Sequence, residues 1–446
     1  EARSDQFCAA QQVPRHQTDR TALQLPELLA MTPASPIQGN TRRHRRNNHK
    51  HQNEFGHRST PNGIGLANQA AFSSTQKRSH QRLAHPCSAR TTTKTPCFMI
   101  GIPGCELMGD QALHHGLYPS TAPYKTDYLK VNGHQIYYEI SGNPDGATAL
   151  FLHGGPGGGT SARDRCFFNP QHYRVVLMDQ RGSGKSIPNA SHDYEGALFN
   201  NSTQYLMEDI ELLREELSLD HWQLILGGSW GTTLAIAYAE QYPNRCRQIL
   251  LRGIFTALPD EIDALFQNGT TANHYPEEWG KYTSYIQKTS QNWDLDQQNL
   301  LAAYQKRLFD PDQRLEAAKA FAGYELSISC LYRNDERVRS VLSNPDKLVP
   351  FASLEVHYML HGCFLKRGQL LENIRAIKNH RIHIVHGRND SVCLPRAAWR
   401  FYQSLKNEGA QNNVTLNFIQ AAGHSDNDQN IALALKEATD HLITEV

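Results

Sequence analysis

A serine set among small residues, Gly227-Gly228-Ser229-Trp230-Gly231, is the stretch of this sequence best suited to chemistry. It closes the apolar run "QLILG" and opens "TTLAIAYA", which reads as a buried helix. In such a strand-to-helix turn, G-x-S-x-G lifts the serine hydroxyl out at the strand's carboxyl end. The helix N-terminus beyond it offers N–H groups to negative charge forming beside that hydroxyl. The chemistry this suits is attack by Ser229 on a carbonyl carbon. In isolation the same five residues would serve equally well as a tight turn, so the reading depends on partners elsewhere.

A nucleophilic serine needs a base, and the base needs a carboxylate to orient it. "IHIVHGRNDSVCLP" places Asp390 on the loop after one apolar run, and "NFIQAAGHSDND" places His424 on the loop after the last. Serine, then acid, then histidine, each at the carboxyl end of an expected strand, is the chain order of α/β-hydrolases. His386 shares the loop of Asp390 but precedes the acid, which makes it the weaker candidate for the base. In "FLHGGPGGGTS" the glycines free the backbone to aim donors at a reacting carbonyl. The N–H groups of Gly155 and Trp230 are the expected oxyanion hole. No Lys follows these glycines, so the loop is not read as a phosphate cradle.

A second glycine loop, "VVLMDQRGSGKS", ends like a P-loop in Gly184-Lys185-Ser186. Asp179 stands where the first glycine of that motif belongs, and Pro188 interrupts the helix that should follow. Asp179, Arg181 and Gly182 are instead expected to form a turn that braces the site.

The elements that must position these groups alternate along the chain. In "YLKVNGHQIYYEISG" two strand-like runs flank Asn132-Gly133, a hairpin signal. Apolar runs follow at 148–152, 174–178, 223–227, 248–251, 381–385 and 414–419, separated by helix-like segments such as 205–217 and 232–242. The fold class this implies is α/β, an α/β-hydrolase fold whose mainly parallel sheet is covered by helices on both faces. Residues 117–256 and 371–446 form its core. The alternation stops over 257–370, a segment rich in aromatics and helix formers that is expected as an inserted helical cap.

The chain of 446 residues carries a net charge of +1, but residues 1–116 hold 14 Lys/Arg against 7 Asp/Glu. That segment, with stretches such as "TRRHRRNNHKHQNE", lacks apolar periodicity and reads as a disordered basic extension. A nucleic-acid-contacting tail and a transit peptide are both compatible with its composition; nucleic acid is not the expected partner. Its nine histidines show no ligand spacing, and no metal or cofactor is expected. The chain begins at Glu1 rather than Met, so it is expected to be a fragment or an over-extended reading frame starting at Met99 or Met108. No run of 18 apolar residues could span a bilayer. Nine cysteines without CxxC pairs argue against a disulfide framework or zinc ribbon, and a cytoplasmic location is expected.

Together, "HGGPGGG", "DQRGSGKS", "GGSWGTTLAIAYA", "LRGIF", "HGRNDSVC" and "AGHS" resemble the proline iminopeptidase (prolyl aminopeptidase) family from about Leu117 onward. The resemblance implies a cap-bearing α/β-hydrolase that releases N-terminal proline from peptides, with two cap glutamates holding the substrate's amino group. The matching positions are Glu325 in "AFAGYELSIS" and Glu355 in "FASLEVHYML". Paired carboxylates over an aromatic pocket suit the secondary ammonium of an N-terminal proline, and Phe321, Tyr324, Phe351 and Tyr358 are the expected lining. Tyr324 stands where the family usually has Trp, and Cys393-Leu394-Pro395 departs from the expected Cys-Pro. Two other readings remain open on the residues: a hydrolase of small esters or non-peptide amides, and a binding protein without catalysis.

Overall fold

The computed structural model describes residues 116–267 and 269–444. All but the last residue of the 1–116 extension lies outside the described residues. The ordered chain opens with a hairpin of β1 (Lys125–Val131) and β2 (His134–Gly142). Its turn residues Asn132 and Gly133 have φ of 44° and 86°, the two positive values a tight I′ turn demands.

Six further strands follow: β3 (Ala147–Leu152), β4 (Tyr173–Met178), β5 (Trp222–Gly228), β6 (Cys246–Arg252), β7 (Arg381–Gly387) and β8 (Val414–Ile419). All eight join one sheet in the order β1-β2-β4-β3-β5-β6-β7-β8. The hairpin pairs antiparallel with itself and with β4, and the ladder from β4 through β8 is parallel.

Alternate side chains of the central strands enter opposite cores, as a period of two requires. Leu150, Leu152, Ile225 and Ile249 face the helices Thr203–Glu216, Trp230–Gln241 and Pro395–Asn407. Ala149, Phe151, Leu224 and Leu226 face the C-terminal helix Gln429–Ile443 and the turn bearing Phe167. With both faces covered, the central strands are apolar over most of their length, which is why the sequence showed runs rather than alternation.

Between β6 and β7 the chain forms a series of helices from Pro259 to Leu360. An aromatic cluster holds them together: Phe266 stacks on Phe321 at 5.2 Å, Tyr282 on Tyr304 at 4.7 Å, and Tyr324 lies 5.0 Å from Tyr282. Two buried phenols donate to carbonyls, Tyr304 to Tyr282 at 2.7 Å and Tyr324 to Leu265 at 3.0 Å, so neither leaves a stranded polar group. Two of these helices, Arg314–Ile328 and Pro345–Leu360, carry Glu325 and Glu355. Among the described residues no helix is long and apolar enough to cross a membrane.

Phe321 touches Phe266, Tyr282 and Tyr304 at the centre of this cluster and is fully buried. Phe321→Ala should therefore lower the unfolding free energy by about 3–5 kcal/mol, read from urea denaturation; a loss under 1 kcal/mol would mean that the cluster does not hold the helices together.

Candidate active site

Ser229 sits between β5 and the Trp230–Gln241 helix with φ 56° and ψ −122°. A non-glycine residue there costs about 1–3 kcal/mol and persists only where its surroundings enforce it. Here they do. The Ser229 N–H donates to the Arg252 carbonyl at 2.7 Å, and its own carbonyl accepts from the Thr232 N–H and hydroxyl at 2.8 and 2.7 Å. The flanking glycines are steric necessities: a Cβ on Gly227 would overlap the Gly231 carbonyl oxygen, and one on Gly231 would overlap that of Leu152.

The loop after β3 approaches the same turn. Gly155 has φ 102°, a conformation open to glycine but not to most residues. Among the described residues, no acceptor takes the N–H of Gly155 or of Trp230. Hydrogen bonds through Asp179 and Gln180 hold the loop in register with the one after β4. Asp179 accepts from the Thr160 N–H at 2.6 Å and from the Lys185 N–H at 2.8 Å, bridging the two. Gln180 donates to the His153 carbonyl at 2.9 Å and accepts from the Trp230 indole at 2.8 Å. Arg181 is fully buried and pairs bidentately with Asp209 at 2.6 and 2.7 Å, fixing the base of the turn.

Asp390 and His424 meet across the ends of β7 and β8. Nδ1 of His424 lies 2.8 Å from Oδ2 of Asp390, whose Oδ1 accepts from the N–H groups of Val392 and Cys393 at 3.0 and 2.8 Å. Burial alone would raise the Asp390 carboxyl. The facing His424, its hydrogen bond, His386 and the Cys393 N–H outweigh that and hold it below the usual carboxylate range. With Nδ1 turned to the acid, Nε2 of His424 is left as an acceptor, and Nη1 of Arg252 stands 3.3 Å from it. Gly253 leaves room for the ring, since a Cβ there would lie 2.9 Å from its Cε1.

His386 has a different place. Its Nδ1 accepts from the Ile254 N–H at 3.1 Å, so Nε2 carries the hydrogen and donates to the Cys393 carbonyl at 2.8 Å, within 3.4 Å of Asp390. Burial lowers its pKa. It is a neutral brace behind the acid.

Ser229, His424, Gly155 and Glu325 border one cavity of about 480 Å³. Glu355 is buried behind Glu325, and the two carboxyls face each other. Burial pushes both upward, and the charge of Glu325 drives Glu355 further, so Glu355 holds a proton that it offers to Glu325. Oε2 of each has no hydrogen-bond partner. Of the four aromatics expected to line the pocket, Phe351 borders this cavity. Phe321 and Tyr324 lie in the aromatic cluster described above, while Tyr358 packs its ring on Trp230 at 4.6 Å and donates to Asn201 at 2.7 Å. None of those three is among the residues bordering the cavity. Among the described residues no group of three or more His, Cys, Asp or Glu side chains is placed to hold a metal ion.

Residues 150–431 match the alpha/beta hydrolase fold family. The chain is 38% identical over 330 residues to a proline iminopeptidase of Arabidopsis thaliana, covering 73% of this chain and 82% of that one. It is likewise 38% identical over 331 residues to a proline iminopeptidase of Xylella fastidiosa, covering 73% and 99%. A probable proline iminopeptidase of Leptolyngbya boryana matches at 38% over 333 residues, covering 74% and 97%.

The chain belongs to the proline iminopeptidase family of alpha/beta hydrolases. In this proline iminopeptidase homologue, several groups at the site were not foreseen from sequence. Arg252 ends β6 beside His424, and its Nη2 lies 3.4 Å from Asp426. Arg252 lies in the stretch "LRGIF" that shares the family resemblance, but no role attached to it there. Arg163, Asp164 and Arg337 also border the cavity, and they sit in segments without motif or periodicity.

Asp164 carries a testable consequence. Burial, then the neighbouring Asp426, raises its pKa to about 7, against hydrogen bonds from Ser161. The folded chain thus keeps a proton that the unfolded chain gives up near pH 4. Stability from this group is complete below that pH and is lost as pH rises toward 7. Asp164→Asn, which keeps an acceptor for Ser161, should raise Tm at pH 8 and leave it near the wild-type value at pH 4; an equal shift at both would refute the assignment.

Proposed function

We propose that this chain is a serine exopeptidase that releases N-terminal proline from peptides through an acyl-enzyme. The observation that carries this reading is the pair of buried carboxyls beside the cavity, each with an acceptor oxygen unfilled. A neutral ester or an internal prolyl nitrogen, which has neither a charge nor an N–H, offers nothing to satisfy them. A proline secondary ammonium brings two N–H donors and a positive charge, which repays the cost of burying a carboxylate. The segment between β6 and β7 acts as the cap that carries this pair.

With the ammonium at Glu325 and Glu355, the scissile carbonyl falls at Ser229. His424, its Nδ1 held by Asp390, takes the hydroxyl proton at Nε2 as Oγ attacks, and the N–H groups of Gly155 and Trp230 receive the oxyanion. His424 then passes the proton to the leaving amine. Water repeats the sequence on the acyl-enzyme and frees proline. Phe351 contributes apolar surface beside the ring, while Phe321, Tyr324 and Tyr358 support the walls from behind. The five described cysteines are all free thiols, which suits a reducing, cytoplasmic setting.

Two variants test the roles separately. Ser229→Ala should reduce turnover of a proline arylamide by a thousandfold or more, on the order of a lost triad member. Glu325→Gln with Glu355→Gln should lower kcat/KM for that substrate by about 30-fold or more, the scale of a buried charge pair losing one partner, with little effect on a simple acyl ester. Parallel losses on both substrates would favour the small-ester reading.

A further inference from the structure

The cavity does not end at the nucleophile. If the amine end of a substrate rests at Glu325 and its carbonyl at Ser229, as the proposed function has it, the leaving part must occupy the remaining space. Cations border the cavity. Arg163, Arg252, Arg337 and Lys347 border it, against Asp164 and Asp426. Asp426 is already shared by Arg252 at 3.4 Å and Arg163 at 4.0 Å, and Asp164, its pKa pushed up to about 7, carries only part of a charge near neutral pH.

Arg337 also contributes to holding the Asp426 carboxyl low, but its side-chain hydrogen bond goes elsewhere, and among the described residues neither Arg337 nor Lys347 makes a close ion pair with a carboxylate. The Arg337 guanidinium is half-buried, and its side-chain hydrogen bond goes to the hydroxyl of Ser425 at 3.2 Å, the residue after His424. A planar guanidinium with donors to spare is the group best shaped to grip a carboxylate in two-point fashion. Lys347 is exposed and adds charge at the rim.

One cavity is therefore bordered both by Glu325 and by a cluster of cations. Its volume of about 480 Å³ lies in the range of cavities that enclose small ligands, roughly 300–1,000 Å³. We propose that the site is matched to the zwitterion of a short free peptide: the glutamate pair takes the N-terminal ammonium, and Arg337, assisted by Lys347, takes the C-terminal carboxylate of a di- or tripeptide. Arg337 is then a specificity-determining residue that selects substrates by length and by a free C-terminus. It touches no reacting atom.

The test compares kcat/KM for prolyl-glycine with that for prolyl-glycinamide, whose scissile bonds are alike. Wild-type protein should favour the free acid by about tenfold, the size of one hydrogen bond to a charged group, and added salt should shrink the preference. Arg337→Gln with Lys347→Gln should bring the ratio to near one, and Arg337→Lys, which keeps the charge, should retain part of it. Because the readout is a ratio within one protein, a partly unfolded variant still reports it. Equal rates for the two peptides in wild type, or an undiminished preference in the double variant, would overturn the inference while leaving proline release intact. Failure to cleave either peptide would overturn the proline-releasing reading and this inference with it.

Discussion

Two carboxyl groups buried side by side, each with an acceptor left open, are the constraint on which the site depends. Removing such groups from water is unfavourable, and like charges so close cannot both ionise at neutral pH. The free protein meets this by keeping a proton on Glu355, shared with Glu325. Arrival of an ammonium changes the balance, since a cation between the two stabilises both as carboxylates. Binding of a charged amine is thereby favoured in a place otherwise hostile to charge. The direction of the substrate follows, because one end alone of a peptide carries that group.

The proposed role of the pair requires that the helices carrying it be fixed to the loops around Ser229. Several bonds couple them. The Ser329 carbonyl, at the end of the helix bearing Glu325, accepts from the N–H groups of both His424 and Ser425 at 2.8 Å, and the Ser329 hydroxyl donates to the Glu325 carbonyl at 2.7 Å. His424 and Glu325, the proposed base and amine anchor, are thus tied to one residue. On the opposite side, the carbonyl of Pro350, in the helix bearing Glu355, approaches Gly157 so closely that a Cβ there would overlap it. The loop carrying Gly155 is therefore held by the Pro345–Leu360 helix on one side and by Asp179 on the other. Positioning of this sort can account for a large part of catalysis where no group is exotic.

Much of this was legible in the residues. Strands buried on both faces leave apolar runs, and all six runs read from β3 to β8 fall within observed strands because helices cover both sides of the sheet. The elbow was readable because Gly227 and Gly231 are forced by backbone contact, which writes itself into sequence. The aromatics were harder. Phe321, Tyr324 and Phe351 all lie on cap helices, and sequence does not reveal which face of a helix turns to a cavity and which to a neighbouring helix; Phe351 alone of the expected set borders it. Arg252, Arg337 and Ser329 escaped notice for a related reason. Their importance comes from which loops meet at the carboxyl edge of the sheet, and no local pattern encodes that meeting.

The most direct measurement of the central claim compares a proline arylamide with its N-acetylated form, in which the ring, the scissile bond and the leaving group are unchanged but the cation is gone. If the buried carboxyl pair governs recognition, kcat/KM for the acetylated substrate should fall by a thousandfold or more, on the order of losing a desolvated charge pair. Comparable rates for the two would contradict the account, since the glutamates would then have no cation to bind and some other feature would have to set the substrate in place.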